Sequence, residues 1–302
     1  MKETPQNTRR IMAILAVIVG LFMIAAAPFI IQISMERVVA ALVEVAKDRP
    51  AFASGIMLFS FLYPFYRALI FIGGIILILI SGQIYKGEEW SFPAGLLASA
   101  FPSAGGMFMF LPYVSWVDGF PLPMVISFVG LAFFWSIIFL RKVDKWQKWA
   151  HFLTLTFAGM LTTHAFTIGV GNLRMLLTRP NKPLYDGMEW WVLSWSAPIQ
   201  WMCVILLFVG IYLLAARKQA GWWLLLISAV AILAIDVPTQ IIRSTMSDST
   251  SLDYLYGALL SAGLLFGLLF PKFKAALFGQ VVQSQLEQLP EADSASLSMP
   301  AA

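Results

Sequence analysis

The stretch AILAIDVPTQIIRS, residues 231–244, places Asp236, Gln240 and Arg243 at i, i+4 and i+7, the spacing that puts three side chains on one face of a helix. A carboxylate, a carboxamide and a guanidinium so arranged can exchange a proton, hold a polar solute, or pair with neighbours. Pro238 lies inside the same stretch and releases the carbonyl four residues earlier, at Ala234. These polar groups sit in an otherwise apolar run. A charged side chain at mid-bilayer costs about 2.5–3.5 kcal/mol on insertion scales, so each needs a partner or a wet cavity.

A second candidate is Arg67 in FLYPFYRALIF, the one charge between Ala51 and Ser81. Its guanidinium stays protonated at any ordinary pH. Tyr63 and Tyr66 flank it, and Pro64 frees the carbonyl of Ser60. Arg67 suits an anion or proton path, or a staple to a carboxylate, for which Asp236 is the candidate. His164, in GMLTTHAFTIGVGN beside Thr163 and Thr167, and Gln200, two residues after Pro198, are further candidates. Each reads either as a proton or solute contact or, as lone membrane polar residues more often are, as a hydrogen bond between helices. Pro102, Ser103, Gly105 and Gly106 cluster in LASAFPSAGGMFMFLP. They suggest a broken helix whose backbone faces a cavity or gate, or else a close-packed kinked one. Together these residues form a candidate polar layer, formed by several helices, that opens to the outer face.

The elements that must carry this layer are set by composition. The chain has 302 residues, 60% hydrophobic and 12% charged, with mean hydropathy +0.81. A soluble domain carries about 25% charged residues, so the solvent here is largely lipid. The expected fold is all-α, a polytopic transmembrane bundle of about eight spans near 11–34, 52–82, 91–114, 121–140, 150–171, 190–215, 221–243 and 254–271. The transmembrane domain then covers 1–278, and 279–302 form a cytoplasmic tail, rich in Gln, Ser and Ala and largely disordered. Residues 34–50 read as an amphipathic helix on the outer face or an extension of the first span. Residues 172–189 read as an outer loop. The apolar run that opens the chain continues past the Ala-Ala-Ala of 25–27 into Pro28, which favours an uncleaved first span over a secretory signal.

With eight spans the basic residues divide 12 to 7, with Arg141, Lys142, Lys145 and Lys148 on the richer side. The positive-inside rule then puts both termini in the cytoplasm of a cell (inner) membrane. Trp90, Trp146, Trp149, Trp190, Trp191, Trp222 and Trp223 fall near span ends, as interfacial anchors do.

Composition also narrows the chemistry. A single cysteine, Cys203, excludes an internal disulfide and a cysteine-rich metal site. The two histidines, His151 and His164, are roughly 20 Å apart along one helix, which argues against a shared haem or metal. No metal and no cofactor is expected. The basic residues form no stripe for nucleic acid. No HExxH, Gly-x-Ser-x-Gly or Asp-rich diphosphate motif is present, and no catalytic residue is assigned.

The expected partners are the lipid bilayer and a small molecule or ion. The leading expectation is a small-solute transporter or permease. A non-catalytic membrane subunit or sensor, docked on another membrane protein and with purely structural polar residues, is the alternative. A membrane-embedded enzyme on a lipid-like substrate is the third.

Overall fold

A computed structural model describes residues 1–177, 188–246 and 252–279. Among these the regular structure is helical throughout, without strands. The helices are α1 (Gln6–Ala25), α2 (Ala27–Asp48), α3 (Ala53–Lys86), α4 (Ser91–Trp116), α5 (Pro123–Leu140), α6 (Lys145–Leu177), α7 (Met188–Ala215), α8 (Gln219–Met246), α9 (Asp253–Leu269) and α10 (Pro271–Leu277).

Among the described residues, seven helices are long and apolar enough to cross a membrane by themselves: α1, α3, α4, α5, α6, α7 and α8. An eighth crossing requires α9 and α10 together, and these meet at a bend of 73°. The 17 residues of α9 fall short of the 20 or so that span the hydrocarbon, and Pro271 sets a new direction just beyond its end. The expectation of an all-helical membrane protein therefore stands. The eighth span, expected at 254–271, is a short helix followed by a sharp turn.

The outside of the bundle is apolar: Leu79 is 73% exposed and Phe29 72%. Such a surface belongs in lipid. Within the bundle, 61% of the apolar segment of α4 is buried against 28% for α1. α4 is thus the inner helix, in contact with α3, α5, α6 and α7. The second half of the chain forms its own group, in which α7 packs on α6 and α8, and α9 lies on α6 and α8.

The α1–α2 break falls at Ala26, two residues before Pro28. Beyond it, α2 continues to Asp48 along the first half of α3. Of the two sequence readings of residues 34–50, the structure adopts the extension of the first span. Likewise α6 does not stop at 171 but runs to Leu177. The first part of the expected outer loop, 172–177, is therefore helical, and 178–187 lie outside the described residues. The expected tail, 280–302, lies outside them as well.

α4 is a continuous helix through Pro102, Ser103, Gly105 and Gly106, so of the two readings, broken or close-packed, the structure adopts the close-packed one. The glycines serve approach instead. A methyl on Gly105 would meet the Tyr66 ring at 2.5 Å, and one on Gly106 would meet the backbone of Ser127 at 2.5 Å. Ser127 Oγ donates to the Ser103 carbonyl at 2.9 Å, tying α5 to α4. α4 is thus a smooth surface pressed between two neighbours.

The end of the bundle at the α5–α6 turn holds the basic cluster. Arg141 is 4% exposed, with its guanidinium 3.7 Å above the Phe92 ring. Burial, then the neighbouring Arg217, lowers its pKa to about 10, with Glu89 opposing the shift. It stays cationic at neutral pH. We call this the Arg141 end and the opposite one the Arg243 end.

Close crossing of α1 and α3 depends on Gly20 and Gly74: a methyl on Gly74 would lie 2.8 Å from the Gly20 carbonyl oxygen. Gly74→Leu is expected to lower the thermal stability of detergent-purified protein by about 1–3 kcal/mol. Gly82→Leu, where nothing lies within 4 Å, should leave it unchanged.

Candidate functional site

Four helices converge on one buried carboxylate. Asp236 of α8 is fully buried. Gln200 of α7, also fully buried, donates from Nε2 to Asp236 Oδ1 at 2.6 Å. His164 of α6 brings Nε2 to 3.6 Å from Asp236 Oδ2. This is ion-pair distance, but long for a hydrogen bond. Neither of those two facing atoms has a hydrogen-bond partner. Gly257 of α9 covers the pair, and a methyl there would overlap both Asp236 Oδ2 and His164 Nε2. The glycine lets the fourth helix close over the site with only its backbone.

The local sequence accounts for each placement. Asp236 and Thr239 are buried, while Val237 and Ile241 face outward at 41% and 59% exposure, so the polar stripe of α8 points into the bundle. Further along that stripe, Gln240 Oε1 accepts from the backbone N–H of Leu255 at 3.0 Å. That N–H is in the first turn of α9 and has no partner within its own helix. Gln240 thus docks α9 onto α8, and its Nε2 reaches Ser244 at 2.9 Å.

A second polar knot lies toward the Arg243 end. Tyr254 Oη donates to Asn172 Oδ1 at 2.6 Å, and Asn172 Nδ2 donates to Ser196 Oγ at 2.7 Å. Asn172 and Tyr254 are each 1% exposed, and Arg243 lies over the Tyr254 ring at 5.6 Å. This knot ties α6, α7 and α9 about two turns above His164. Asn172 escaped sequence reasoning because the span was cut at the first polar run, which put it in a loop. The signal available was an asparagine two turns from His164 on the continuing helix.

His164 also lines a cavity of about 880 Å³. Its floor is α6, from Leu155 to Met175. One wall is α4 and α5, including Ser103, Ser127 and Phe134, and the other is α9, including Tyr254, Tyr256 and Leu260. Arg174, Arg243 and Asp253 lie at one end. A second cavity of about 480 Å³, lined by Phe65, Tyr66, Phe101 and Trp201 among others, holds no charged residue.

The structure therefore brings Asp236, His164 and Gln200 together, with Gln240 close by on the same helix. Arg67 is elsewhere. Its Nη1 donates to Gln32 Oε1 at 2.9 Å, and Gln32 Nε2 donates to Glu36 Oε1 at 2.7 Å. The carboxamide relays the guanidinium charge to a carboxylate on α2. One residue away, about 100° around α3, Tyr66 faces α6 instead, with its ring 4.9 Å from that of Phe166. Tyr63 Oη donates to the Met109 carbonyl at 3.1 Å. Both tyrosines pack α3 against the core, and neither reaches Asp236. Pro102, Gly105 and Gly106 are buried helix contacts, and Ser103 alone of that group lines the 880 Å³ cavity.

Chemically, both members of the pair are able to take up or release a proton. With one proton between them, Asp236 and His164 are neutral overall, as carboxylate–imidazolium or as carboxylic acid–imidazole. Gln200 can donate to the carboxyl group in either form. Gain or loss of a proton leaves a net charge in an apolar surround, a costly state unless a solute or an open path compensates. Among the described residues no group of three or more His, Cys, Asp or Glu is placed to hold a metal.

Gln200→Leu removes the donor to Asp236 Oδ1 and is expected to destabilise the purified protein by about 1–3 kcal/mol in thermal unfolding. The double variant Gln200→Leu/Asp236→Leu should recover much of that loss, because both partners are then apolar. Additive losses would show that the bond contributes nothing.

Comparison with protein-family models, curated proteins and solved structures finds no match to this chain, so its functional reading rests on the geometry above.

Proposed function

We propose that this membrane protein is a proton-linked transporter of a small solute, with the α6 cavity as the solute site and the Asp236–His164 pair as its proton-exchanging group. The observation that carries the reading is the position of His164. Its ring forms part of the cavity wall while its Nε2 faces a carboxylate that has no access to solvent. A proton delivered from the cavity thus reaches Asp236 by way of the imidazole. Carboxylate and imidazole chains inside membranes recur in such relays. The Arg243 end is the outer face in this reading, with both termini cytoplasmic in a cell membrane, as the basic-residue bias suggests.

One observation favours the structural alternative. Asp236 is dry and donated to by Gln200, as in a polar contact that only fastens helices. The two readings part on water access and on coupling. In a Cys203→Ala background, Thr167→Cys on the cavity wall is expected to react with a membrane-impermeant thiol reagent added to the Arg243 side of proteoliposomes. A solute found by screening to move protons into dye-loaded vesicles should lose that proton movement in Asp236→Asn. Arg67→Gln, which changes a group outside the cavity, should transport normally. A site closed to the reagent, together with no proton-linked solute in the screen, would leave the polar cluster as scaffold.

A further inference from the structure

The α6 cavity is a groove with a gradient of polarity. From Leu155 to Met175 its floor rises roughly 30 Å, about the thickness of the hydrocarbon core. Toward the Arg141 end the lining is Leu155, Phe157, Met160, Leu131, Phe134 and Leu260. The middle adds Thr163, His164 and Thr167. The Arg243 end adds Asn172, Tyr254, Arg174 and Arg243, with Asp253 as the opposing acid. Among the described lining residues, two guanidiniums stand there with one carboxylate. Arg174 also stacks on Phe52 at 5.1 Å, and Arg243 on Tyr254.

The groove also faces lipid. α5 packs on α4, α9 packs on α6 and α8, and no packed seam joins α5 to α9. Along this opening Met160 is 50% exposed, Tyr256 57% and Leu259 59%. Two glycines on the floor, Gly159 and Gly171, have nothing within 4 Å of where a Cβ would stand. Unlike Gly257 or Gly105, they are not required by any helix contact. They leave bare backbone beneath the groove, where a chain can lie close.

We propose that the solute is an amphipathic anion, an acyl chain bearing one carboxylate or phosphate head, which enters sideways from the bilayer. The chain lies over Gly159 between Phe134 and Leu260, and the head sits by Arg243 and Arg174. A guanidinium suits both head types, since it offers two parallel donors to either oxyanion. An apolar groove without the arginines would take any lipid chain. Arginines without the groove would take any soluble anion. Their combination along one helix selects molecules with both parts. This inference rests on the transporter reading for its physiological use, although the binding itself does not require transport.

The test uses the full-length protein in detergent with oleate, oleoyl lysophosphatidate and oleyl alcohol, each measured by displacement of a fluorescent fatty acid. Oleate or lysophosphatidate is expected to displace the probe at least about tenfold more strongly than the alcohol. Preference between the two anions identifies the head as carboxylate or phosphate. Arg243→Gln should weaken the anions by roughly tenfold and leave the alcohol unchanged. Gly159→Leu, a change into open space that the fold can accept, should weaken all three by filling the groove. Equal displacement by the alcohol, or anion binding untouched by Gly159→Leu, would overturn the proposal. Saturable anion binding with no water access at Thr167→Cys and no proton-linked solute in the screen would sink the transporter reading while this inference stands. Proton-linked flux of a soluble solute without anion binding would do the reverse.

Discussion

The constraint on which this structure turns is a carboxyl group removed from water inside a protein whose own solvent is oil. Asp236 has no exposed surface, and ionised or not it must have its polar atoms met from within the bundle. Gln200 meets one oxygen and His164 stands opposite the other. Gly257 is small enough to let α9 close over both. Replace any of these and the approach of α6, α7, α8 and α9 changes with it. Gln240 and the Asn172–Tyr254 knot brace the same four helices nearer the Arg243 end.

The protein handles Arg67 differently. Arg67 is paired through the Gln32 carboxamide to Glu36, a chain of bonds between two neighbouring helices. Its positive charge has a fixed answer in a carboxylate one turn beyond Gln32 on α2. Arg67 cannot lose its proton, so nothing at that site switches. Asp236 and His164 can each change state, and one of them lines a cavity. Capacity to change protonation state therefore lies with the α6–α8 pair, although Arg67 is the more conspicuous residue in the sequence.

Much of the helical layout is legible in the apolar runs. Residues 52–82 foreshadow α3, 121–140 foreshadow α5 and 221–243 foreshadow most of α8. Runs of apolar residues mark the hydrocarbon, however, and not the helix. α6 therefore extends past its expected end, and Asn172 was hidden in a supposed loop. The glycines and proline of α4 left a break and a close-packed helix both open, and packing decided between them because intrinsic propensity is weak beside it. Tyr66 and the start of α5 use those small residues as contact surface. For the polar residues, depth could be reckoned by counting from span ends, which put Arg67 and Asp236 in one layer. Direction around each helix could not. A 100° step separates Tyr66, facing α6, from Arg67, bonded across to α2.

The central claim is that His164 and Asp236 act as one protonic unit inside the bilayer. With only two histidines in the chain, histidine ¹⁵N labelling of the protein in lipid yields two imidazoles, told apart by a His151→Gln variant. Ring-nitrogen chemical shifts recorded at neutral pH, with and without Asp236→Asn, measure the coupling directly. The account predicts that the His164 nitrogen shifts move once the carboxylate is replaced, while those of His151 do not change. Identical His164 shifts in both proteins would contradict it.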